Sequence, residues 1–565
     1  MNNDGATGSM PKETGAAGVG WPRPAVLSNR NVLLGFLVVV AGLRLGSFFE
    51  SVRDWDESLY LLVADQWLQG HAPYTVVWDN KPPGIYAIFA LTLEVFGRSI
   101  FAVRAIACVS VAVTSTFVFR IGALLERDGW VVGLLAGGCY TVLSLNNGGM
   151  AANTEIFFCA PSAAAFYVVL STAKAVVSST AKAVVSSTAE AWPLERAAAR
   201  LGGAGLLLGL AFEIKYVVIF DIAMALAALA LVLPWRASPE RSFLAFLKAV
   251  GALGLGALLP FVIVTLVFRA TGHFDEYWTA NFTANRARTI AQPFQIGVMA
   301  AALRYQLRNG YLFWIAAPVG LGVLAARGRL ARLQDKSEDR WFVSTVGLGL
   351  LVTLGCFFVV FRTAVYPHYF LQLAIWLALL AAFTAVRLTL SREPPARGRP
   401  AGLRVLLVVA AVLLAQQAGP HVLLGAKDVY FRGVLGRPHW GDRPAAVAAY
   451  LAPRLRPDDA IYVVDDQPVI YFLTGARLPT PFVFPPLLVR IQGLPDIAGV
   501  SPLVELARIM DGRPTYVLKL KMDEEPSYLP EDQRFIEALR ARLARDYVLE
   551  QSIEGLDLFR VRTSP

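Results

Sequence analysis

Apolar residues run along this chain in stretches of about 20, the length that crosses a bilayer as a helix. The first run, 31–49, is followed by a polar stretch at 50–99. Further runs lie at about 100–123, 129–147, 155–173, 201–214, 216–233, 244–268, 308–326, 342–361, 369–387 and 402–418. The pattern predicts about eleven transmembrane helices. The two short runs around Lys215 are its weakest members. Within 50–99, SLYLLVADQWLQG places Leu59, Leu62, Val63 and Trp67 on one helical face, which predicts a helix lying flat on the bilayer. IYAIFALTLEVFG, interrupted by Glu94, predicts a second juxtamembrane helix.

From about 420 the periodicity shortens to that of a soluble α/β domain. AIYVVDD (460–466) and PTYVLKL (514–520) read as strands, and YVLEQSIEGLDLFRVR (547–562) reads as a hairpin turning near Gly555. PEDQRFIEALRARLARDYV (530–548) repeats apolar residues at helical spacing through Phe535, Ile536, Leu539 and Leu543. The expected fold is therefore a polytopic α-helical membrane protein with a small C-terminal extracytoplasmic α/β domain. Its parts are a disordered cytoplasmic tail at 1–30, a transmembrane domain at 31–418 with its first external loop at 50–99, and the α/β domain at 419–565.

Composition agrees, with 56% hydrophobic and 17% charged residues. The formal net charge of +10 does not point to nucleic acid, because the basic residues sit in short clusters between apolar runs. That distribution is the positive-inside signal of a multi-pass protein. It places the N-terminus on the cytoplasmic side of the membrane and the residues after 418 outside; loop 269–307, rich in arginine, is the exception among the external loops. The four cysteines show neither a disulfide framework nor metal-ligand spacing. STAKAVVS at 171–178 recurs at 179–186, a local duplication that matches no solenoid period.

The candidate chemistry gathers in the external loops. Asp54, Asp56 and Glu57 crowd the start of the first juxtamembrane helix. One acid there is explained as a helix cap, but not three beside a membrane. Lys81, in DNKPPG, is held before two prolines that stiffen the backbone, and a lysine there can meet a lipid phosphate or simply snorkel. Glu155 begins a span after the polar turn NNGGMAANT, where capping is the plainer alternative. His368 and Tyr369 begin another span from the same side. Arg286 and Arg288, in 269–307, are candidates for holding an anionic group. Asp465 and Asp466 read as structural carboxylates at the end of a strand.

WDESLY, AxxWLxGxxPY, NKPPG and FGRSIFAVR, in that order, resemble the first external loop of the GT-C glycosyltransferases of the protein O-mannosyltransferase and lipid A aminoarabinose transferase type. The NTE turn and PHYF resemble later landmarks of the same group. The resemblance implies a GT-C catalytic domain that moves a hexosyl or pentosyl unit, with inversion, from a polyprenyl-phosphate-linked donor to an acceptor hydroxyl. The acceptor would be a glycolipid, a polysaccharide or a protein. Asp56 would be the base, Tyr60 and Lys81 would engage the donor phosphate, and Glu155 would be the second acid, with Glu57 beside them. No cofactor is implied with certainty: the residues show no metal cage, and dependence on a divalent metal stays open. The competing readings are a lipid or sugar transporter or flippase, with ionisable residues near midplane on broken helices, and a non-catalytic scaffold.

Overall fold

The structure, a computed structural model, describes residues 23–125, 128–185, 194–232, 239–291, 296–326, 337–360, 366–390, 401–437, 441–489, 498–521 and 530–562. The tail to residue 22, the basic stretches 327–336 and 391–400, and the end of the octapeptide repeat at 186 lie outside the described residues.

The chain enters through α1 (Asn29–Leu43), whose N-cap Ser28 accepts a hydrogen bond from the Asn31 amide at 3.3 Å. The polar stretch then forms α2 (Trp55–Leu68) and α3 (Pro83–Phe96). Six helices follow: α4 (Ile100–Gly122), α5 (Gly129–Leu143), α6 (Thr154–Val185), α7 (Leu194–Phe212), α8 (Ile219–Val232) and α9 (Pro239–Ala270). The short helices α10 (Phe274–Trp278) and α11 (Ala284–Ala291) flank a π-helical turn at Thr279–Thr283. The apolar part closes with α12 (Ile296–Ala326), α13 (Ser337–Val360), α14 (Phe370–Thr389) and α15 (Ala401–Gly433).

Every run expected to span overlaps one of these helices. Among the described residues, five segments are long and apolar enough to cross a membrane: Ile100–Gly122, Thr154–Val176, Phe246–Ala270, Pro367–Thr389 and Arg404–Gly433. α14 lies at the centre of the bundle, buried almost without interruption from Phe370 to Val386. By contrast, α9 and α15 turn Leu255, Leu266, Val408 and Val412 outward, the surface expected of helices facing lipid. Against α7, α9 packs backbone to backbone: a Cβ on Gly205 would sit 2.0 Å from the Leu253 carbonyl oxygen, so only glycine permits that approach. The last apolar run was expected to end at 418, but α15 continues through Pro420 to Gly433 and carries the chain to its C-terminal part.

That part contains α16 (Arg443–Leu451), β1 (Ile461–Val463), α17 (Val469–Thr474), α18 (Pro502–Asp511), β2 (Tyr516–Leu520), α19 (Pro530–Asp546), β3 (Tyr547–Ile553) and β4 (Leu556–Val561). The sheet order is β1-β2-β4-β3, with β1 and β2 parallel and the other pairs antiparallel. Asp465 accepts from the Leu520 amide at 2.8 Å, tying the end of β1 to β2, and Asp466 pairs with Arg443 of α16 at 2.7 Å, so both acids are structural.

The first juxtamembrane helix departs from expectation. In α2 every residue from Glu57 to Asp65 is buried, which leaves no face for lipid. It is packed between α3 and α17. An apolar stripe marks a helix covered by protein as well as one lying on a bilayer, and periodicity cannot tell them apart.

Candidate active site

Asp54 caps α2, its carboxylate accepting from the Asp56 amide at 2.9 Å. This places Asp56 in the first helical turn, where the helix dipole favours an anion. Its side chain lines a cleft of about 550 Å³ together with Asp54, Asp79, Lys81, His368 and Tyr369. Successive helical residues point about 100° apart, so Glu57 faces the other way. It is fully buried, ion-paired with Arg104, and accepts from the Ala152 amide at 2.7 Å. Glu57 is not among the residues lining the cleft.

Lys81 is positioned by its backbone. Pro82 caps α3 and Pro83 opens it, which fixes the chain's direction. The Gly84 amide donates to the Glu213 carbonyl at 2.7 Å, and a Cβ at Gly84 would lie 2.4 Å from that oxygen. The Tyr74 hydroxyl donates to the Lys81 carbonyl at 2.9 Å. So held, the Lys81 ammonium lies 3.8 Å from Asp56 and 3.6 Å from Asp79. The Tyr86 hydroxyl donates to the other Asp79 oxygen at 2.8 Å.

The three acids of the cleft differ in proton affinity. Burial, with the Asp56 charge beside it, raises the Asp54 carboxyl to about 7. Burial also works against the Asp56 anion, but Lys81, His368 and Lys215 outweigh it and hold that carboxyl below its usual range. Asp79 is raised by burial, which Lys81 only partly offsets. Environments that push paired carboxyls apart in this way assign one as proton holder and another as standing anion. Here Asp56 is the anion.

Behind this pair lies a second layer. Glu155, at the start of α6, is ion-paired with Lys215 and accepts from the Thr154 hydroxyl at 2.9 Å. Lys215 sits in the break between α7 and α8, and its ammonium lies 4.2 Å from the centre of the Tyr369 ring. The His368 and Tyr369 rings meet edge-on at 4.7 Å, just before α14. Tyr60 is fully buried with its hydroxyl towards Asp56, short of hydrogen-bond geometry. The structure therefore brings Asp56, Lys81, His368 and Tyr369 to one cleft, with Tyr60 and Glu155 behind it. Arg286 is exposed on α11 and is not among the lining residues. The Arg288 side chain lies outside the described residues. Lys215, which sequence reasoning treated as a topological nuisance, joins the site. Its signal was a lysine between two apolar halves too short to span separately.

The C-terminal part supplies one wall of the cleft through Phe484, Pro486 and Leu487. Trp55 meets Phe484 edge-on at 5.9 Å, and the Trp78 amide donates to the Pro481 carbonyl at 2.9 Å. Arg98 bridges Asp65 and the Phe472 carbonyl, and the Ser51 amide donates to Asp442 at 2.9 Å. Sequence reasoning missed this wall, because its partners are some 400 residues apart. Among the described residues, no group of three or more His, Cys, Asp or Glu is placed to hold a metal ion.

No family profile and no curated protein sequence matches the chain. Solved structures do. ArnT from Cupriavidus metallidurans bound to undecaprenyl phosphate superimposes with a TM-score of 0.57 at 14% identity, over 93% of this chain and 97% of that one. The oligosaccharyltransferase of Archaeoglobus fulgidus in the apo form gives 0.52 at 12% identity, over 87% of this chain and 69% of that one. The same organism's AglB, in complex with an inhibitory peptide and a dolichol-phosphate, gives 0.50 at 11% identity, over 94% and 74%. The chain therefore shares its fold with ArnT and with the archaeal oligosaccharyltransferase.

Proposed function

We propose that this chain, built on the GT-C fold, is an inverting glycosyltransferase that moves a sugar from a polyprenyl-phosphate donor to an acceptor hydroxyl at the outer face of a membrane. The observation that carries the reading is the opposed pair Asp56 and Lys81 in one cleft, between apolar helices and the C-terminal part. Neighbours of the same fold hold undecaprenyl phosphate or dolichol-phosphate. A cleft at the ends of α6, α7 and α14 suits a substrate whose tail stays in lipid and whose phosphate sits at the interface.

The roles follow from the charges. Asp56, held ionised, accepts the proton of the acceptor hydroxyl as its oxygen bonds to the anomeric carbon. The bond from that carbon to the phosphate oxygen breaks, and the phosphate leaves with the electron pair. Lys81 stabilises the departing charge as a point cation, with the Lys215 cation nearby. Glu155 keeps Lys215 in place, and Tyr60 and Tyr369 shape the pocket around both. Glu57 acts through Arg104 and the Ala152 amide, by fixing α2. A transporter reading draws on the broken α7–α8 pair, but it leaves no role for acids and a lysine collected beside an external loop. In this proposal the N-terminus is cytoplasmic and the C-terminal part lies outside, in an inner-membrane, multi-pass arrangement.

The test is to supply the purified protein, in lipid nanodiscs, with radiolabelled polyprenyl-phosphate hexoses and pentoses. The proposal expects at least one sugar to leave its lipid in the presence of membrane-derived acceptors. If every donor is recovered intact, the transferase reading is wrong.

A further inference from the structure

A second polar cluster, unused by the transfer chemistry, lies at the break between α7 and α8. Both carboxylate oxygens of Glu213 lack a hydrogen-bond partner among the described residues. So do the hydroxyls of Tyr216, Tyr277 and Thr265 and the side-chain oxygen of Asn281. Glu213 is 4% exposed and lies in the neighbourhood of Tyr74, Tyr216 and Tyr277, while Tyr277 faces the hydroxyls of Tyr216 and Thr265. The Asn281 amide nitrogen donates to the Tyr277 carbonyl at 3.0 Å, which leaves its oxygen unused. The walls are apolar: Phe268 stacks on Tyr277 at 4.6 Å and Phe282 on Tyr216 at 5.2 Å. Side-chain oxygens from the α7–α8 break, α9, α10 and the π-helical turn thus gather in one buried place without satisfying one another.

A carboxylate in such surroundings is costly unless something neutralises it. The candidate donors are all oxygens, the preference of hard cations rather than of zinc or copper. Only one of them carries a formal charge, whereas divalent sites recruit several carboxylates or keep much of their water. The C-terminal end of α7 adds its negative dipole, and broken helices are where membrane proteins build monovalent-ion sites. We propose that Glu213, with the hydroxyls of Tyr216, Tyr277 and Thr265, forms a buried site for a monovalent metal cation, sodium or potassium. The Glu213 carbonyl holds the Gly84 amide at 2.7 Å, and Lys215 follows two residues later. An ion here fixes the break from which both Lys81 and Lys215 are positioned. The inference does not depend on the transferase reading.

The test uses the full chain in nanodiscs at mildly alkaline pH, with two readouts that need no sugar substrate. Unfolding temperature is compared in sodium, potassium and N-methylglucamine chloride at equal ionic strength, and retention of radioactive sodium is titrated with and without unlabelled potassium. The proposal expects a higher unfolding temperature in sodium or potassium than in N-methylglucamine, and saturable retention of sodium or its displacement by potassium. Glu213→Gln should remove both effects. Should that variant fail to fold, Thr265→Val is expected to weaken the ion's apparent affinity by about tenfold. Equal unfolding temperatures in the three salts, with no saturable retention, would overturn the proposal and leave a proton as the neutralising partner of Glu213.

Discussion

The ammonium of Lys81 lies 3.8 Å from the Asp56 carboxylate and 3.6 Å from that of Asp79, so a single cation serves two acids. A phosphate arriving at Lys81 has to share that cation. As it does, Asp56 loses part of its counter-charge and becomes a better proton acceptor. In the proposed reaction, donor binding and activation of the base are thereby linked through one side chain.

Lys81→Ala should therefore raise the apparent KM for the lipid-phosphate donor and lower turnover by about 100-fold, the usual cost of one lost stabiliser of developing charge. Lys81→Arg should recover only part, since a planar fork does not replace a point charge. Steady-state kinetics over a range of donor concentrations separates the two effects. Unchanged kinetics in Lys81→Ala would reduce the residue to a snorkelling cation.

Glu57 is expected to behave differently, although it adjoins Asp56 in sequence. Its pair with Arg104 is buried on both sides. Removing one partner of such a pair costs about 3–5 kcal/mol. Glu57→Gln should thus lower the unfolding temperature markedly, while the protein that remains folded keeps donor KM and most of its turnover. Thermal unfolding together with active-fraction kinetics checks this.

Asp54 gives a pH dependence with a definite sign. Its carboxyl is raised from 3.8 to about 7 in the fold. Between those values the folded chain holds a proton that the unfolded chain releases, so this contribution to stability is full below 3.8 and lost as pH rises through about 7. Asp54→Asn should flatten that part of the stability–pH curve, measured by thermal unfolding across the window.

The orientation is testable with reporters. In the proposed orientation Gly436, just past α15, lies outside the membrane. A phosphatase fused there should be active and a cytoplasmic fluorescent protein dark. The reverse would mean an odd number of misread spans, most readily around Lys215.

Much of the fold was legible in hydrophobic periodicity, because long apolar runs have few other structures open to them. The α/β alternation of the C-terminal part was legible in its short strand and helix periods. The site was legible only locally. Asp54, Asp56 and Lys81 belong to one loop, and their chemistry can be read within 30 residues. Glu155, Lys215 and Tyr369 reach them only through packing of α6, α7 and α14, which no spacing encodes. The facing of Glu57 needed the helix phase set by the Asp54 cap, and the Phe484 wall needed the docking of the C-terminal part. Arg286 was drawn in by charge alone, and charge on an exposed helix carries no direction.

The central claim is that Asp56 is the base, and the most direct measurement is the sugar-transfer rate of Asp56→Asn against wild type in the same nanodisc preparation. Asparagine keeps the size and some hydrogen bonding of the side chain but cannot take the acceptor's proton. Loss of a positioned general base typically costs about 10²–10⁴-fold in rate. The account predicts a fall of that order with donor binding largely retained. Transfer at the wild-type rate by Asp56→Asn would contradict it, and would turn attention to His368 in the same cleft lining.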